Sequence, residues 1–190
     1  MKRIGVLGGC FDPPHIGHMI HAQLASCFFE LDNILFIPAA APPHKDAFAS
    51  YEARVRMTEL SIEGNKDFKV STIEKEKNLS YTVETLSELK LNHPDSRLFL
   101  IIGSDEYDMF NTWRDPEAII VMAELIVLPR RTATVRDTDT TRKVYFPDFP
   151  MIEVSSSMIR TRLKEGKTIN YLVRDKVRDY INETNLYKEC

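Results

Sequence analysis

The chain has 190 residues, 43% hydrophobic and 28% charged, and a formal net charge of −3. That length suits one domain, residues 1–190, with a sizeable buried core. An acidic balance argues against a broad nucleic-acid footprint, so any phosphate must be met by locally placed Lys, Arg and His. Cys10, Cys27 and Cys190 show no paired spacing, and no disulfide framework is expected. No apolar stretch reaches transmembrane length and the N-terminus does not look like a signal peptide, which predicts a cytoplasmic protein without membrane contact.

The elements alternate in a βαβ rhythm. Ile4–Leu7 reads as a strand ending in Gly8-Gly9, followed by a helix from about Gly17 to Phe29 with Met19, Ile20, Leu24 and Cys27 on its apolar face. Ile34–Pro38 reads as a second strand. A Pro-rich loop (Pro42, Pro43) and a helix over roughly Tyr51–Glu63 follow. Phe68–Ile73 alternates as a strand, and Thr82–Leu91 reads as a helix closed by His93-Pro94. Leu98–Ile102 is almost continuously apolar, as a strand covered on both faces must be. Pro116–Ala123 predicts a helix, Leu125–Leu128 a strand, and Arg130–Lys143 a polar surface loop with no assigned function. A short strand is expected at Met151–Val154, then two C-terminal helices over about Met158–Lys164 and Val173–Glu183. The fold class predicted is α/β: a single Rossmann-like doubly wound parallel sheet, helices on both faces, and a small C-terminal helical segment. Ligands of such sheets sit at the strands' C-terminal ends, where Gly8-Gly9 and Gly103-Ser104-Asp105 both fall.

The first of these ends carries the densest chemistry. Glycines let a ligand approach the backbone, and the N-terminus of a helix offers N–H groups to phosphate oxygens. His15 and His18, one turn apart, share a helix face and can point at one anion, with imidazole charge tunable near neutral pH. His21 adds a third histidine, but its spacing rotates it away from His15, and no nearby Cys or carboxylate completes a zinc tetrahedron. No metal-ligating residue is therefore predicted. Near the other end, Ser155-Ser156-Ser157 precede a helical run, and Arg160 in its first turn offers permanently charged planar donors to phosphate.

Gly8-Gly9-x-Phe11-Asp12-Pro13-x-His15-x-Gly17-His18 resembles the signature of the HxGH nucleotidyltransferases, and the doubled Gly with Pro13-Pro14 is closest to the bacterial nicotinate-nucleotide adenylyltransferases. The resemblance runs from Ile4 to the Tyr171–Ile181 stretch and includes a Ser-Ser/Thr-x-Ile-Arg element matched by Ser156, Ser157 and Arg160. It implies transfer of AMP from ATP to nicotinate mononucleotide, giving nicotinate adenine dinucleotide and pyrophosphate in NAD biosynthesis, with no covalent enzyme intermediate. It implies Mg²⁺ carried with ATP. His18, His15 and Arg160 would be catalytic, and Gly8, Gly9, Cys10, Phe11, Gly103, Asp105, Ser156 and Ser157 would join them in binding ATP. Cys10 stands where the family usually has Thr, a weaker donor in place of a hydroxyl.

For the acceptor, the resemblance casts Lys45 and His44 of Pro42-Pro43-His44-Lys45, Thr82 and Thr85 of the Ser80-Tyr81-Thr82-x-x-Thr85 segment, and Trp113 as binding residues. Thr85 would partner the nicotinate carboxylate. Trp113, the only Trp, is flanked by polar residues, which suits a half-exposed ring stacking on a flat cationic heterocycle. Partners would be ATP and nicotinate mononucleotide, with no nucleic acid; the sequence is compatible with a homo-oligomer. The rival readings are the same chemistry on another phosphorylated acceptor, nicotinamide mononucleotide foremost, a non-catalytic nucleotide sensor, and a His-based metallohydrolase.

Overall fold

A computed structural model describes residues 1–42, 46–129, 139 and 141–188. The described residues form a six-stranded parallel sheet in the order β3-β2-β1-β4-β5-β6. The strands are β1 (Lys2–Gly9), β2 (Asn33–Pro38), β3 (Phe68–Val70), β4 (Ser96–Gly103), β5 (Ala123–Leu128) and β6 (Val144–Tyr145). The helices are α1 (Ile16–Phe28), α2 (Tyr51–Ile62), α3 (Thr82–Asn92), α4 (Ser104–Asp108), α5 (Pro116–Met122), α6 (Ser156–Lys164) and α7 (Asp175–Glu183). The doubly wound α/β expectation is met.

Period-two alternation divides the core between the two faces of the sheet. Ile4, Val6, Leu98, Leu100, Leu125 and Val127 pack with Leu86 and Leu89 of α3 and Ile119 of α5. Leu7, Ile34, Phe36, Phe99, Ile101 and Ile126 pack on the other side with Ala22 and Ala25 of α1. A third cluster joins α2 (Ala53, Met57), α6 (Ile159) and α7 (Val177, Ile181) into the C-terminal helical segment. Because β1 has β2 on one side and β4 on the other, the strand order reverses between β1 and β4. That crevice is where α/β sheets bind ligands, and Gly9 and Gly103 end the two strands there.

Several expectations are corrected. The buried face of α1 is Gly17, His21, Ala22 and Ala25, because small residues let the helix lie close to the sheet. Of the expected apolar face, Met19 packs partly buried against the core, whereas Ile20 and Leu24 line a groove with Ser61, Ile62 and Arg174, and Cys27 is exposed. The third strand ends at Val70 rather than Ile73: Ser71 makes one more bond to Phe36, and the chain then turns through Thr72–Lys75. Met151–Val154 forms no strand among the described residues. Its alternation serves packing, with Ile152 against Gly17 and Val154 in the C-terminal cluster. Of the Arg130–Lys143 loop, Asp139 and residues 141–143 are described: Asp139 bridges to Val144 and accepts from the N–H groups of Thr141 and Arg142, while residues 130–138 and 140 lie outside the described residues. The short elements α4 and β6 were not anticipated.

Candidate active site

The chain leaves β1 through a loop that aims both histidines. Phe11 takes a left-handed backbone (φ 50°) and is 2% exposed, its ring packed edge-on against His18 at 5.1 Å. A Cβ on Gly8 would meet nothing within 4 Å, so this backbone is open to a ligand. His15 is the N-cap of α1 and buried. Its backbone N–H donates to His18 Nδ1 at 3.1 Å, and the two rings stack with centroids 3.7 Å apart. Since Nδ1 of His18 is the acceptor, a neutral ring carries its proton on Nε2, which is then the nitrogen that donates. The expected pairing of the two imidazoles on one face is therefore observed. His21 is buried, with Nε2 3.2 Å from the carbonyl of Pro150, a structural position.

Gly17 explains the glycine between the histidines. A Cβ there would lie 3.0 Å from His15 Nδ1 and 3.2 Å from Ile152 Cγ2. Gly17→Ala is expected to push the His15 ring off its stack on His18 and lower kcat about tenfold, with little change in secondary structure. Stopped-assay turnover and far-UV circular dichroism of the purified variant check this.

The C-terminal serine motif closes on the same loop. Ser155 caps α6, accepting from the N–H of Met158 at 3.2 Å. The hydroxyl of Ser156 donates to the carbonyl of Pro13 at 2.8 Å. Arg160 donates to the carbonyl of Asp12 at 2.5 Å and to Ser157 Oγ at 3.2 Å, with its guanidinium 4.3 Å from the centre of the Phe48 ring. Segments some 140 positions apart in sequence are thus one unit. Ser156 spends its hydroxyl proton on Pro13, so what it offers a phosphate is its backbone N–H in the first turn of α6.

Gly103 ends β4 as the N-cap of α4, where its N–H donates to Glu106 Oε2 at 3.1 Å; Asp105 is exposed in the first turn. Beyond them Trp113 is half-buried, 5.5 Å from the Phe110 ring, as its polar neighbours predicted. Arg114 ties this segment to the start of α3, pairing with Glu84 at 2.7 Å and lying 4.7 Å over the Tyr81 ring. Ser80 and Ala41 exchange hydrogen bonds of 3.0 and 3.2 Å, which draws the approach to α3 against the loop after β2. The segment that follows Trp113 is thereby tied to the start of α3, and the approach to α3 to the loop after β2. His44 and Lys45 lie outside the described residues.

The hydroxyl of Thr85 is already engaged. The residue is 3% exposed and donates its hydroxyl to Glu74 Oε1 at 2.6 Å. The proton that a substrate carboxylate would need is already committed to a protein carboxylate. The same Glu74, after burial itself, pushes the phenol of Tyr51 above its ordinary pKa.

Two residues that hold the site together were absent from the sequence expectations as site residues. Asp12 is 3% exposed and accepts the N–H groups of Phe48 (2.6 Å) and Ala49 (3.2 Å). Arg54 of α2 is 1% exposed and donates to the carbonyls of Cys10, Ala39, Ala40 and Ala49. Asp12 lay inside the recognised motif, so its type was in view. Arg54 gave no local signal, since an Arg on a helix reads as surface. Cys10 is half-buried, and its carbonyl is fixed by Arg54 at 2.9 Å. Among the described residues, no three His, Cys, Asp or Glu side chains converge as metal ligands.

The Cytidylyltransferase-like family matches residues 6–162. The chain is 39% identical to the nicotinate-nucleotide adenylyltransferase of Bacillus subtilis, covering 99% of this chain and all of the relative. It is 40% identical to a probable nicotinate-nucleotide adenylyltransferase of Salinibacter ruber, covering 97% of each. In fold it is similar to the Plasmodium falciparum nicotinic acid mononucleotide adenylyltransferase complexed with NaAD, with a TM-score of 0.84 at 21% identity and 98% coverage of both chains. A family match across most of the chain, full-length relatives near two-fifths identity, and the paired histidines at the β1–β4 crevice agree: the chain belongs to the Cytidylyltransferase-like family and, within it, to the nicotinate-nucleotide adenylyltransferases.

Proposed function

We propose that the chain acts as one nucleotidyltransferase domain that moves AMP from ATP to nicotinate mononucleotide, releasing pyrophosphate and nicotinate adenine dinucleotide. The observation that carries this reading is the His15–His18 stack at the N-terminus of α1, tied through the Asp12 and Pro13 carbonyls to Arg160 and Ser156. An oxygen of the acceptor's phosphate attacks the α-phosphorus of ATP, and the bond to the β-phosphate oxygen breaks as pyrophosphate leaves. Both partners are anions, so the work is alignment and neutralisation of spreading charge rather than covalent chemistry.

In this reading the Nε2–H of His18 donates to the α-phosphate, where charge develops, and His15 holds the His18 ring and meets phosphate beside it. Gly8, Gly9, Cys10 and Phe11 present backbone to the nucleotide, and Ser157 and Arg160 with the α6 N-terminus face the β- and γ-phosphates. Gly103 and Asp105 face the ribose and adenine, and Trp113, Thr82, His44 and Lys45 serve the acceptor. Thr85 enters as the residue that orients Glu74. The donor set fits Mg²⁺ arriving on the ATP phosphates: with no three-ligand cluster among the described residues, the protein offers only single polar groups to complete its shell. The metal supplies neutralisation of phosphate charge when bound. Among the described residues no helix is long and apolar enough to cross a membrane. We place the reaction in the cytoplasm, in keeping with three cysteines that show no paired spacing.

Pyrophosphate release with ATP and Mg²⁺ tests the reading, with nicotinate mononucleotide compared against its nicotinamide analogue. The expected result is a kcat/KM at least about a hundredfold higher for the acid, the scale at which a site built for one polar group rejects another. Equal use of both would show that the pocket does not read the carboxylate, and activity with neither would overturn the assignment.

A further inference from the structure

We propose that Tyr187, three residues from the end of the sequence, is a positioning residue for the phosphate-binding loop. The proposal rests on the reading of that loop as the ATP site. Tyr187 is 5% exposed, and its hydroxyl donates to Asp12 Oδ1 at 2.7 Å across 175 positions of sequence. Burial first, then this hydrogen bond, pushes its phenol far above the ordinary value, so the hydroxyl stays protonated and donates. The tail that delivers it is shaped for the purpose. After α7, Leu186 bonds back to the carbonyl of Ile181 at 3.1 Å, and Asn185 and Tyr187 both take left-handed backbone, at φ 53° and 66°. That conformation is costly for residues other than glycine.

Asp12 is the junction of the site. Its carboxylate accepts from Phe48, Ala49 and Tyr187, and its carbonyl accepts from Arg160. The next residue, Pro13, holds Ser156, and two further on His15 begins the stacked pair. A buried carboxylate with three donors is satisfied. With one removed the carboxylate must find another partner, and the loop backbone that carries it shifts with it. Tyr187 therefore sets the position of the segment that carries both histidines and anchors the arginine, although it touches no substrate itself.

Tyr187→Phe removes the hydroxyl and keeps the ring. The expected result is ATP affinity, by calorimetry, and kcat, by pyrophosphate release, each lowered about tenfold, with acceptor KM within about twofold. Leu186→Ala, at a neighbour whose side chain packs in the C-terminal cluster, is the control for general loosening of the tail. It is expected to lower Tm more than Tyr187→Phe while leaving ATP affinity and kcat at parental values. Parental ATP affinity and kcat in Tyr187→Phe, or the same kinetic loss in Leu186→Ala, would overturn the proposal. A parent that binds ATP but turns over no acceptor would sink the functional reading alone, and the calorimetric comparison would still decide the role of Tyr187.

Discussion

His18→Ala is expected to lower kcat by about three orders of magnitude, the scale of losing one oriented donor from a site of developing charge. The backbone N–H of His15 occupies Nδ1 of His18, so the neutral ring is held in the tautomer that carries its proton on Nε2. Stacking on His15 at 3.7 Å and the edge contact with Phe11 fix the plane of the ring. The donor is therefore preorganised before substrate arrives, which is what separates it from a mobile surface lysine of equal charge. Deleting the ring costs the fold about 2–3 kcal/mol for the two lost ring contacts and the His15 N–H left without its acceptor, so Tm should fall by roughly 4–12 °C with the fold retained. His18→Gln, which places an amide N–H near the lost Nε2, should recover roughly tenfold over alanine. A purified His18→Ala protein within tenfold of parental turnover would show that the donor assigned here does not act on the reacting phosphate.

The most legible parts of this molecule were those encoded by neighbours in sequence. Ile4–Leu7 followed by two glycines and paired histidines foretold the end of β1, the ligand crevice and the shared helix face. The apolar run at Leu98–Ile102 foretold a strand covered on both sides, and Ser155–Ser157 foretold a capped helix. What was lost has a common physical cause. The two residues of β6 and the five of α4 are too short to express a period. The inward face of α1 is made of Gly17, His21, Ala22 and Ala25, chosen for closeness rather than hydrophobicity, so a reading by apolar spacing picked a neighbouring stripe of which Met19 packs on the core. Met151–Val154 alternates like a strand because alternate residues pack inward, yet a strand also needs a ladder partner, which spacing cannot report. The bonds joining Thr85 to Glu74, Arg160 to Asp12 and Tyr187 to Asp12 link residues 11, 148 and 175 positions apart, and only the fold decides which polar side chains meet.

Arg54→Met is expected to be the most destabilising single change argued here, by about 3 kcal/mol, or roughly 6–12 °C in Tm for a chain of this size. Arg54 is 1% exposed and sits at the start of α2, where a reader of helical spacing would put it in water. Its guanidinium instead reaches the carbonyls of Ala39 (2.7 Å), Cys10 (2.9 Å), Ala49 (3.2 Å) and Ala40 (3.4 Å). Those carbonyls belong to the loops that leave β1 and β2 and to the segment entering α2, so one side chain closes the mouth of three connections. Methionine would fill much of the volume but leave those oxygens without donors in a place water reaches poorly, the costly half of a hydrogen-bond deletion. Arg54→Lys separates charge from geometry. A lysine keeps the positive charge but offers a point donor, which cannot span carbonyls on three segments as a planar fork does. It should therefore recover only part of the lost Tm, while the ATP KM stays raised because the Cys10 carbonyl is no longer pinned beside Gly8 and Gly9. Equal Tm for parent and Arg54→Met would mean the loops hold themselves. Full rescue by lysine would mean that charge alone, rather than the fork, sets the backbone around the nucleotide.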